Sequence, residues 1–335
     1  MKIAINGFGR IGRNVFKIAS KDPAIEIVGI NDLTDPKTLA HLLKYDSTYG
    51  VYDHDVTYGE DYISVDGKKI TIYKERDPKV LPWGKLGVDV VIESTGVFRT
   101  AEGPRGGYKD HLKAGAKKVI LTVPAKDEID QTIVCGVNDN EIDLKNTAFS
   151  NASCTTNCLA PISKVILDNF GIVRGLMTTV HSYTNDQVML DQPKADLRRA
   201  RSGAVSIIPT TTGAAKAIGK VIPSLAGKMN GLAMRVPTPT GSIVDLTFET
   251  EKDCTVEELN AAFKKASEEG PMKGILAYTE DPIVSHDIVG NNHSSIVDGL
   301  STMKMGPKFF KVLSWYDNEM GYSTRVVDLA RKIGK

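Results

Sequence analysis

The apolar positions in the first half of the chain alternate between the patterns of buried strands and amphipathic helices. Residues 2–6 and 26–32 have the composition of strands, and between them apolar residues from Ile11 to Ala19 recur at helical spacing. Further apolar segments occupy 88–93, 118–123 and 133–137, separated by helical or loop-like stretches. This order predicts a mostly parallel sheet with helices packed on its faces.

The pattern changes near residue 150, where a helix at 154–168 is followed by longer strands. We expect these strands at 175–183, 231–237, 242–250 and 308–316. Thr255 and Glu258 form a capping box that opens an amphipathic helix through about Glu268, and a last helix covers about 318–333. The change of pattern, together with a length of 335 residues, predicts two domains.

Charge and composition exclude several classes of protein. Forty-two Lys and Arg against 41 Asp and Glu give a formal net charge of +1, whereas nucleic-acid and membrane-surface proteins usually carry a basic excess. No apolar run approaches the roughly 18 residues that span a bilayer. The first residues lack the pattern of a secretory signal, and four cysteines are too few for a disulfide framework. We therefore expect a cytoplasmic protein with no membrane or nucleic-acid partner.

A glycine fingerprint follows the first predicted strand. Gly7, Gly9 and Gly12 have the spacing G-x-G-x-x-G at a strand-to-helix turn, where glycines allow a pyrophosphate to approach the backbone and the helix N-terminus. Asp32 lies 20 residues past Gly12, at the end of the second strand, where a carboxylate binds a ribose 2′-hydroxyl and repels a 2′-phosphate. The alternative is a tight turn without a ligand. The combination favours binding of NAD over NADP.

Cys154 is the candidate nucleophile. It follows a Ser/Asn-rich turn and precedes a helical pattern, and a helix N-terminus stabilises a thiolate and lowers the pKa of the thiol. The alternative for any single cysteine is a small buried apolar residue. Cys158 lies one helical turn further on, but no second Cys/His pair with zinc-site spacing lies nearby, so we interpret Cys158 as structural and expect no metal.

His181 is the candidate general base. Of six histidines it alone follows an apolar strand and opens a polar loop. A single histidine is more often structural, but a Cys–His pair has a clear function, because the base activates the thiol and later handles the proton of the reacting oxygen.

Groups that bind anions cluster after the cysteine. Arg198, Arg199 and Arg201 form a basic triplet, a threonine run from Thr210 opens a helix, and Arg235 interrupts an apolar strand. Such a triplet is usually a solvated face and such a run is usually a helix cap. Together with a nucleotide-binding domain, they favour a substrate that carries a phosphate.

Taken together, these segments resemble phosphorylating glyceraldehyde-3-phosphate dehydrogenase over essentially the whole chain. The resemblance is carried by the motifs Asn6-Gly-Phe-Gly-Arg-Ile-Gly12, Ser150-Asn-Ala-Ser-Cys-Thr-Thr-Asn-Cys-Leu-Ala-Pro161, Thr179-Val-His-Ser-Tyr-Thr184, Thr212-Gly-Ala-Ala-Lys-Ala217, Arg235-Val-Pro237 and Trp315-Tyr-Asp-Asn-Glu319. It implies an α/β chain with a Rossmann-type NAD-binding domain, 1–153 plus 319–335, and an α+β catalytic domain, 154–318, built on a mostly antiparallel sheet. It also implies a homotetramer.

The resemblance further implies a glycolytic reaction through a thioester. The Cys154 thiolate attacks the aldehyde of glyceraldehyde 3-phosphate to form a hemithioacetal, hydride passes to NAD, and inorganic phosphate releases 1,3-bisphosphoglycerate from the resulting thioester. His181 is implied as the base.

Binding roles also carry over by motif. Thr184 and Arg235 are implied for the substrate phosphate. The implied residues for the attacking phosphate are Ser153, Thr155, Thr212, Gly213 and one of Arg198 and Arg199. The implied NAD contacts, besides the three glycines, are Arg10, Ile11, Asp32, Arg76, Ser94, Thr122 and Asn318.

Two other functions fit parts of the pattern. An erythrose-4-phosphate dehydrogenase would use the same Cys154 and His181 but release an acid by hydrolysis, and a non-catalytic NAD-binding regulator would need neither. The chain also departs from the family pattern at residues 100–107, a glycine-rich segment that is longer than usual.

Overall fold

The computed structural model describes residues 1–334, which form two compact units. The first comprises 1–133, 141–152 and 323–334, and the second comprises 134–140 and 153–322. Within the described residues, no helix combines the length and the apolar character that crossing a membrane requires.

The first unit is an α/β unit with one large sheet. Its helices are α1 (Arg10–Ala19), α2 (Pro36–Lys44), α3 (Trp83–Leu86) and α4 (Asp110–Lys113). Its strands are β1 (Lys2–Asn6), β2 (Glu26–Asn31), β3 (Tyr45–Asp46), β4 (Gly50–Val51), β5 (Val56–Tyr58), β6 (Tyr62–Val65), β7 (Lys68–Tyr73), β8 (Val90–Glu93), β9 (Lys118–Leu121), β10 (Gln131–Thr132) and β11 (Ala148–Ser150).

The strand order creates a crevice where ligands bind in such folds. The nine-stranded sheet has the order β10-β11-β9-β8-β1-β2-β7-β6-β5 and is parallel from β10 to β7, with β6 and β5 antiparallel at one edge. From β1 the chain first builds outward through β2 and then returns to the other side of β1 with β8. The carboxyl ends of β1 and β8 therefore flank a topological switch point, the usual place for a nucleotide.

The second unit carries the longer strands. Its helices are α5 (Cys154–Phe170), α6 (Ala214–Val221), α7 (Val256–Glu268) and the start of α8 (Met320–Ile333), and its strands are β12 (Arg174–Ser182), β13 (Ile208–Thr211), β14 (Met229–Val236), β15 (Ser242–Glu249), β16 (Leu276–Thr279), β17 (Ser295–Met305) and β18 (Phe309–Tyr316).

The sheet of the second unit has the order β13-β14-β12-β15-β18-β17-β16 and is mostly antiparallel. The exceptions are two parallel pairs, β12 with β14 and β16 with β17. In the first of these, His181 on β12 is the register partner of Arg235 on β14. Two polar residues far apart in the sequence thus reach the same end of neighbouring strands.

The fold class predicted from the sequence is confirmed, and so are most of the predicted elements. The exception is 133–137, which is not a strand. Its backbone turns there, since Val137 N–H donates to the Val134 carbonyl at 3.1 Å and Gly136 has φ +80°. The segment is apolar because it is a buried turn, and burial alone does not distinguish a turn from a strand. Strand β17 and the β5–β7 edge were not predicted.

Candidate active site

A cavity of about 820 Å³ opens in the first unit at the switch point of the sheet. Its lining includes the glycine turn after β1 and the residues that follow β2 and β8. Of the predicted cofactor residues, it contains Gly7, Gly9, Asp32, Arg76 and Ser94. The size suits a ligand much larger than a single phosphate.

Two of the three glycines of the fingerprint, Gly7 and Gly12, are required because neighbouring backbone atoms lie too close to leave room for a side chain. Gly7 has φ +91°, and a Cβ there would lie 2.7 Å from the backbone nitrogen of Thr95. A side chain at Gly12 would overlap the Gly7 carbonyl, whereas one at Gly9 would meet nothing within 4 Å and would fill the cavity. The turn is therefore packed on one side and open on the other, which is the cradle that a pyrophosphate needs.

Asp32 stands at the cavity with both carboxylate oxygens already held. Oδ2 accepts from the Phe8 backbone N–H at 2.7 Å, and Oδ1 accepts from the Thr34 N–H at 2.9 Å. Each oxygen retains a second lone pair, so the carboxylate is still able to accept from a ribose hydroxyl. The hydrogen bond from Phe8 also ties Asp32 to the glycine turn. These residues fit NAD, which would lie with its pyrophosphate at the turn and its adenosine ribose at Asp32.

A buried network behind this cavity was missed by sequence reasoning. Glu93, at the end of β8, is 1% exposed, and its Oε2 accepts from Asn6 Nδ2 at 2.5 Å and from His111 Nε2 at 2.9 Å. Its Oε1 accepts from the Thr95 backbone N–H at 2.9 Å and from the Thr95 hydroxyl. Trp83 Nε1–H donates to His111 Nδ1 at 3.1 Å. An indole nitrogen only donates, so His111 carries its proton on Nε2.

This network links the loops that form the cavity. Asn6 and Thr95 both line it, and Asn31, after which Asp32 begins the next loop, donates to Asn6 Oδ1 at 2.7 Å. The only sequence signal was a glutamate that ends an otherwise apolar strand.

The remaining predicted cofactor residues are placed differently. Arg10, Ile11, Gly12 and Thr122 are not among the residues that line the cavity. The Arg10 guanidinium binds Asp46 at 2.7 Å, and the Thr122 hydroxyl donates to the Glu93 carbonyl. Arg10 and Ile11 are the first two residues of helix α1, directly after the glycine turn. Asn318 belongs to the second unit, where its Oδ1 accepts from the Ser242 hydroxyl at 2.8 Å. The roles of all five toward NAD stay predictions.

The second unit brings the predicted nucleophile and base into contact. Cys154 is the first residue of helix α5, and Ser153 caps the helix by accepting from the Thr156 N–H at 3.1 Å. Cys154 Sγ lies 3.3 Å from His181 Nε2 at the end of β12. The distance is within hydrogen-bond reach for a thiol and an imidazole, which is the arrangement of an activated nucleophile.

The other ring nitrogen of His181, Nδ1, has two polar neighbours that orient the ring. Nδ1 lies 2.7 Å from the Ser182 carbonyl oxygen and 2.8 Å from Arg235 Nη1, which itself donates to the same carbonyl at 2.9 Å. In the tautomer that donates from Nδ1 to the carbonyl, Nε2 has a free lone pair directed at Cys154.

The charges around this pair favour neutral groups. Burial, reinforced by the Arg235 cation, lowers the pKa of His181 to about 3, so the imidazole is neutral at pH 7. Burial raises the pKa of the Cys154 thiol, although Arg235 and hydrogen bonds from Thr155 act in the opposite direction. The backbone N–H groups at the helix start do act to lower the pKa of this thiol, as expected, but desolvation outweighs them and the net shift is upward. The thiol depends on His181 to take its proton.

Tyr316 is a second residue that sequence reasoning missed. Its ring packs edge-on against His181 at a centroid distance of 5.9 Å. Its hydroxyl lies 2.9 Å from the Thr155 Oγ1 and 2.8 Å from the Thr179 Oγ1, and the residue is 1% exposed. Tyr316 thus connects the start of α5 to strand β12, the two elements that carry the nucleophile and the base.

The predicted anion-binding residues form two groups. Arg235 lies beside His181. Arg199 donates from Nε to the Thr210 hydroxyl at 2.8 Å and also pairs with Asp186, which places it next to the threonine run that ends at Thr212 and Gly213. Arg198 is exposed, and its backbone N–H donates to Asp196 Oδ1 at 2.9 Å. Thr184, in the exposed loop after β12, donates from its hydroxyl to Gln187 at 3.2 Å.

Comparison with known proteins gives a match within each of the two units. The sequence model "Glyceraldehyde 3-phosphate dehydrogenase, NAD binding domain" matches residues 1–101, and "Glyceraldehyde 3-phosphate dehydrogenase, C-terminal domain" matches residues 153–318. The chain is 68% identical to the glyceraldehyde-3-phosphate dehydrogenase of Borreliella burgdorferi, with 100% of both chains covered. It is 61% identical to that of Geobacillus stearothermophilus, over 99% of this chain and 98% of the relative. On these matches, the chain belongs to the glyceraldehyde-3-phosphate dehydrogenase family.

Proposed function

We propose that this chain oxidises and phosphorylates D-glyceraldehyde 3-phosphate to 1,3-bisphosphoglycerate with NAD, as an enzyme of glycolysis. The observation that carries the proposal is the 3.3 Å contact between Cys154 Sγ and His181 Nε2, in a chain that also has a fitting dinucleotide cavity. The names of the relatives support the choice of substrate.

The first step is the attack of Cys154 on the aldehyde. His181 accepts the thiol proton at Nε2, and the sulfur forms a bond to the aldehyde carbon. The imidazolium then returns the proton to the aldehyde oxygen, which gives a neutral hemithioacetal and a free imidazole. A neutral imidazole is needed, and the low pKa of His181 supplies it. The pKa of the Cys154 thiol is raised, so a charged nucleophile forms when the base takes the proton.

His181 also acts in the oxidation step. As the hemithioacetal becomes a thioester, its hydroxyl loses a proton, and the same imidazole is within reach of an atom bonded to the carbon that Cys154 holds. When bound, NAD accepts the hydride that leaves this carbon. The thioester conserves the energy of the oxidation, so inorganic phosphate is able to attack it and release an acyl phosphate.

We assign Arg235 and Thr184 to the phosphate of the substrate. Arg235 is the closer of the two to the reacting pair, because its guanidinium and His181 share the Ser182 carbonyl as acceptor. A planar guanidinium suits phosphate, and its Nε has no hydrogen-bond partner among residues 1–334.

We assign Ser153, Thr155, Thr212, Gly213 and Arg199 to the attacking phosphate. Arg199 is preferred over Arg198 because it already lies against the threonine run. These assignments, and those of Arg10, Ile11, Gly12, Thr122 and Asn318 to NAD, are proposals.

We propose that the first unit is the NAD-binding domain and that the second is the catalytic domain. We also propose that the active protein is a homotetramer in the cytoplasm. Exposed apolar side chains support assembly, since patches of this kind mark interfaces. On the loop after β12 they are Met189, Leu190 and Leu197, and on the sheet of the second unit they are Leu176, Leu300 and Met305. Light scattering after gel filtration tests the assembly, and a monomer mass would contradict it.

The reaction is tested by NADH formation from glyceraldehyde 3-phosphate and NAD, with and without inorganic phosphate. We expect turnover to depend strongly on phosphate, because only phosphate releases the acyl group as 1,3-bisphosphoglycerate. Arsenate should replace phosphate. Turnover that is independent of phosphate would instead indicate hydrolysis, as in an erythrose-4-phosphate dehydrogenase. Binding of NAD without turnover of either aldehyde would indicate a regulator.

A further inference from the structure

The glycine-rich segment that departs from the family pattern forms an ordered turn in the first unit. The Gly106 backbone N–H donates to the Gly103 carbonyl at 3.0 Å, which closes a β-turn with Pro104 and Arg105 as its central residues. Proline at the first central position fixes φ in advance, so Arg105 is presented at the tip of a turn with little freedom to lose.

The base of this turn is fastened to the wall of the cavity. Gly106 has φ +99°, and a Cβ there would lie 3.2 Å from Pro78 Cδ and 3.3 Å from Phe98 Cε1. The next residue, Gly107, donates its N–H to Asp110 Oδ2 at 2.8 Å, and the buried Tyr108 donates its N–H to the Thr100 carbonyl at 3.0 Å. The turn is therefore seated against the 78–98 side of the unit and is not a loose insertion.

The turn lines the dinucleotide cavity beside the segment that holds the Asp32 loop, because Gly106 packs against Pro78 and the nearby Glu75 carbonyl accepts from Asn31 Nδ2 at 2.9 Å. Gly103, Pro104, Arg105 and Gly106 all line the cavity. So do Leu33 and Val97, two exposed apolar side chains next to Asp32 and the Thr95 turn, which offer an apolar surface to a flat ring. Since an acid in the position of Asp32 binds the ribose of adenosine, this is the adenosine end of the cavity.

The charges lining the cavity leave Arg105 available to a ligand. Lys79, which also lines the cavity, is paired with a carboxylate of the protein, since its Nζ lies 3.9 Å from Asp110 Oδ1. Arg105 is exposed and forms no ion pair within the described part of the chain, residues 1–334. A guanidinium is planar, stacks on aromatic rings and donates in a fixed fork, so it suits a purine nucleotide.

We propose that Arg105 is a binding residue for the adenosine half of NAD, supplied by the 103–106 turn. The proposal rests on the proposed function, because it takes NAD as the occupant of the cavity. It adds a contact that the glycine fingerprint and Asp32 do not provide.

The test is calorimetric titration of the full-length protein with NAD, AMP and nicotinamide mononucleotide. We expect Arg105→Ala to weaken binding of NAD and of AMP by about three- to tenfold, since an exposed contact of a guanidinium with an aromatic ring or a phosphate has this order of strength. Binding of nicotinamide mononucleotide should not change. Lys85→Ala is the matched control, because Lys85 is exposed, carries the same charge and lies outside the cavity.

The outcomes separate this inference from the proposed function. Failure of the wild-type protein to bind NAD would overturn both. Normal binding of NAD by the wild-type protein, with the same AMP affinity in Arg105→Ala, would overturn the role of Arg105 alone. An equal loss for AMP and nicotinamide mononucleotide would also overturn it, because that pattern is a general disturbance. Arg105→Gln, which retains the length of the side chain better, should show the same selective loss as Arg105→Ala.

Discussion

The buried carboxylate of Glu93 offers a sharp test of the network behind the cavity, through the variant Glu93→Gln. Each carboxylate oxygen accepts two hydrogen bonds: Oε2 from Asn6 and His111, and Oε1 from the N–H and hydroxyl of Thr95. An amide has one oxygen and one NH₂ group. Whichever way it is oriented, the NH₂ group faces donors.

The orientation of the amide decides which conflict arises. If the NH₂ group takes the position of Oε1, it faces the Thr95 backbone N–H, which has no freedom to turn away. If the NH₂ group takes the position of Oε2, it faces the His111 Nε2–H. That proton is fixed on Nε2 because Nδ1 accepts from Trp83 at 3.1 Å. A buried donor without an acceptor costs about 1–3 kcal/mol, with the larger values for hydrogen bonds to a charged group. We therefore expect a loss of about 1–3 kcal/mol in the free energy of unfolding.

The assay is urea unfolding followed by the emission of Trp83, which is part of the network. The chain has two tryptophans, so Trp315→Phe leaves Trp83 as the only reporter. In this background we compare Glu93→Gln with His111→Gln. A glutamine at 111 is able to accept from the indole and donate to Glu93, as the neutral imidazole does, so it should lose less stability.

Two results would refute this reasoning. One is a Glu93→Gln protein within about 0.5 kcal/mol of its parent, the usual range for a surface substitution. The other is His111→Gln being the more damaging change, which would mean that His111 does not act as a neutral donor from Nε2. Because Asn6 and Thr95 line the cavity, the Glu93 variant should also bind NAD more weakly.

Three further predictions concern single side chains. Cys154→Ser should reduce turnover by several orders of magnitude with nearly unchanged NAD affinity, because a serine hydroxyl is not ionised near neutral pH and is a weaker nucleophile than a thiolate; substantial residual activity would remove Cys154 as the nucleophile. Asp32→Ala should narrow the preference for NAD over NADP, measured as a ratio of kcat/KM values, and an unchanged ratio would show that another residue discriminates. Burial acts to raise the pKa of Asp110, but hydrogen bonds from the Gly107 N–H and from Lys113 outweigh it, so the pKa is lowered. The ionised Asp110 therefore stabilises the folded state above the unfolded pKa of about 3.9, and this contribution is lost as the pH falls below that value. Asp110→Asn should therefore be less stable than the parent at pH 7, with a difference in Tm that shrinks below about pH 4; a difference that grows in acid would contradict this.

Local signals were sufficient for the residues that begin or end an element. Gly7 to Gly12 follow from a strand-to-helix turn, Asp32 from its spacing, Cys154 from a helix start and His181 from a strand end. Each of these positions depends on the backbone within a few residues, and hydrophobic periodicity reports that backbone well.

Residues whose partners are distant in the sequence could not be found in this way. Tyr316 meets Thr155 and Thr179 across 161 and 137 positions, and Glu93 and His111 meet through the packing of α4 on the sheet. The pairing of chains in a sheet fixes these contacts, and a single sequence does not state which strands are neighbours. The pKa of Cys154 was misjudged for a similar reason, since its burial depends on the whole unit.

The pairing of β12 with β14 also explains why His181 and Arg235 are electrostatically coupled. In a parallel pair, residues in register reach the same edge of the sheet, so His181 and Arg235 arrive together and share the Ser182 carbonyl. The cation lowers the pKa of the imidazole and so keeps it neutral, and it also pulls the thiol toward ionisation. A substrate phosphate that binds Arg235 would neutralise part of this charge and raise the basicity of His181 as the substrate arrives. With Arg235 assigned to the substrate phosphate as proposed above, one strand register would both hold the substrate and tune the base beside Cys154.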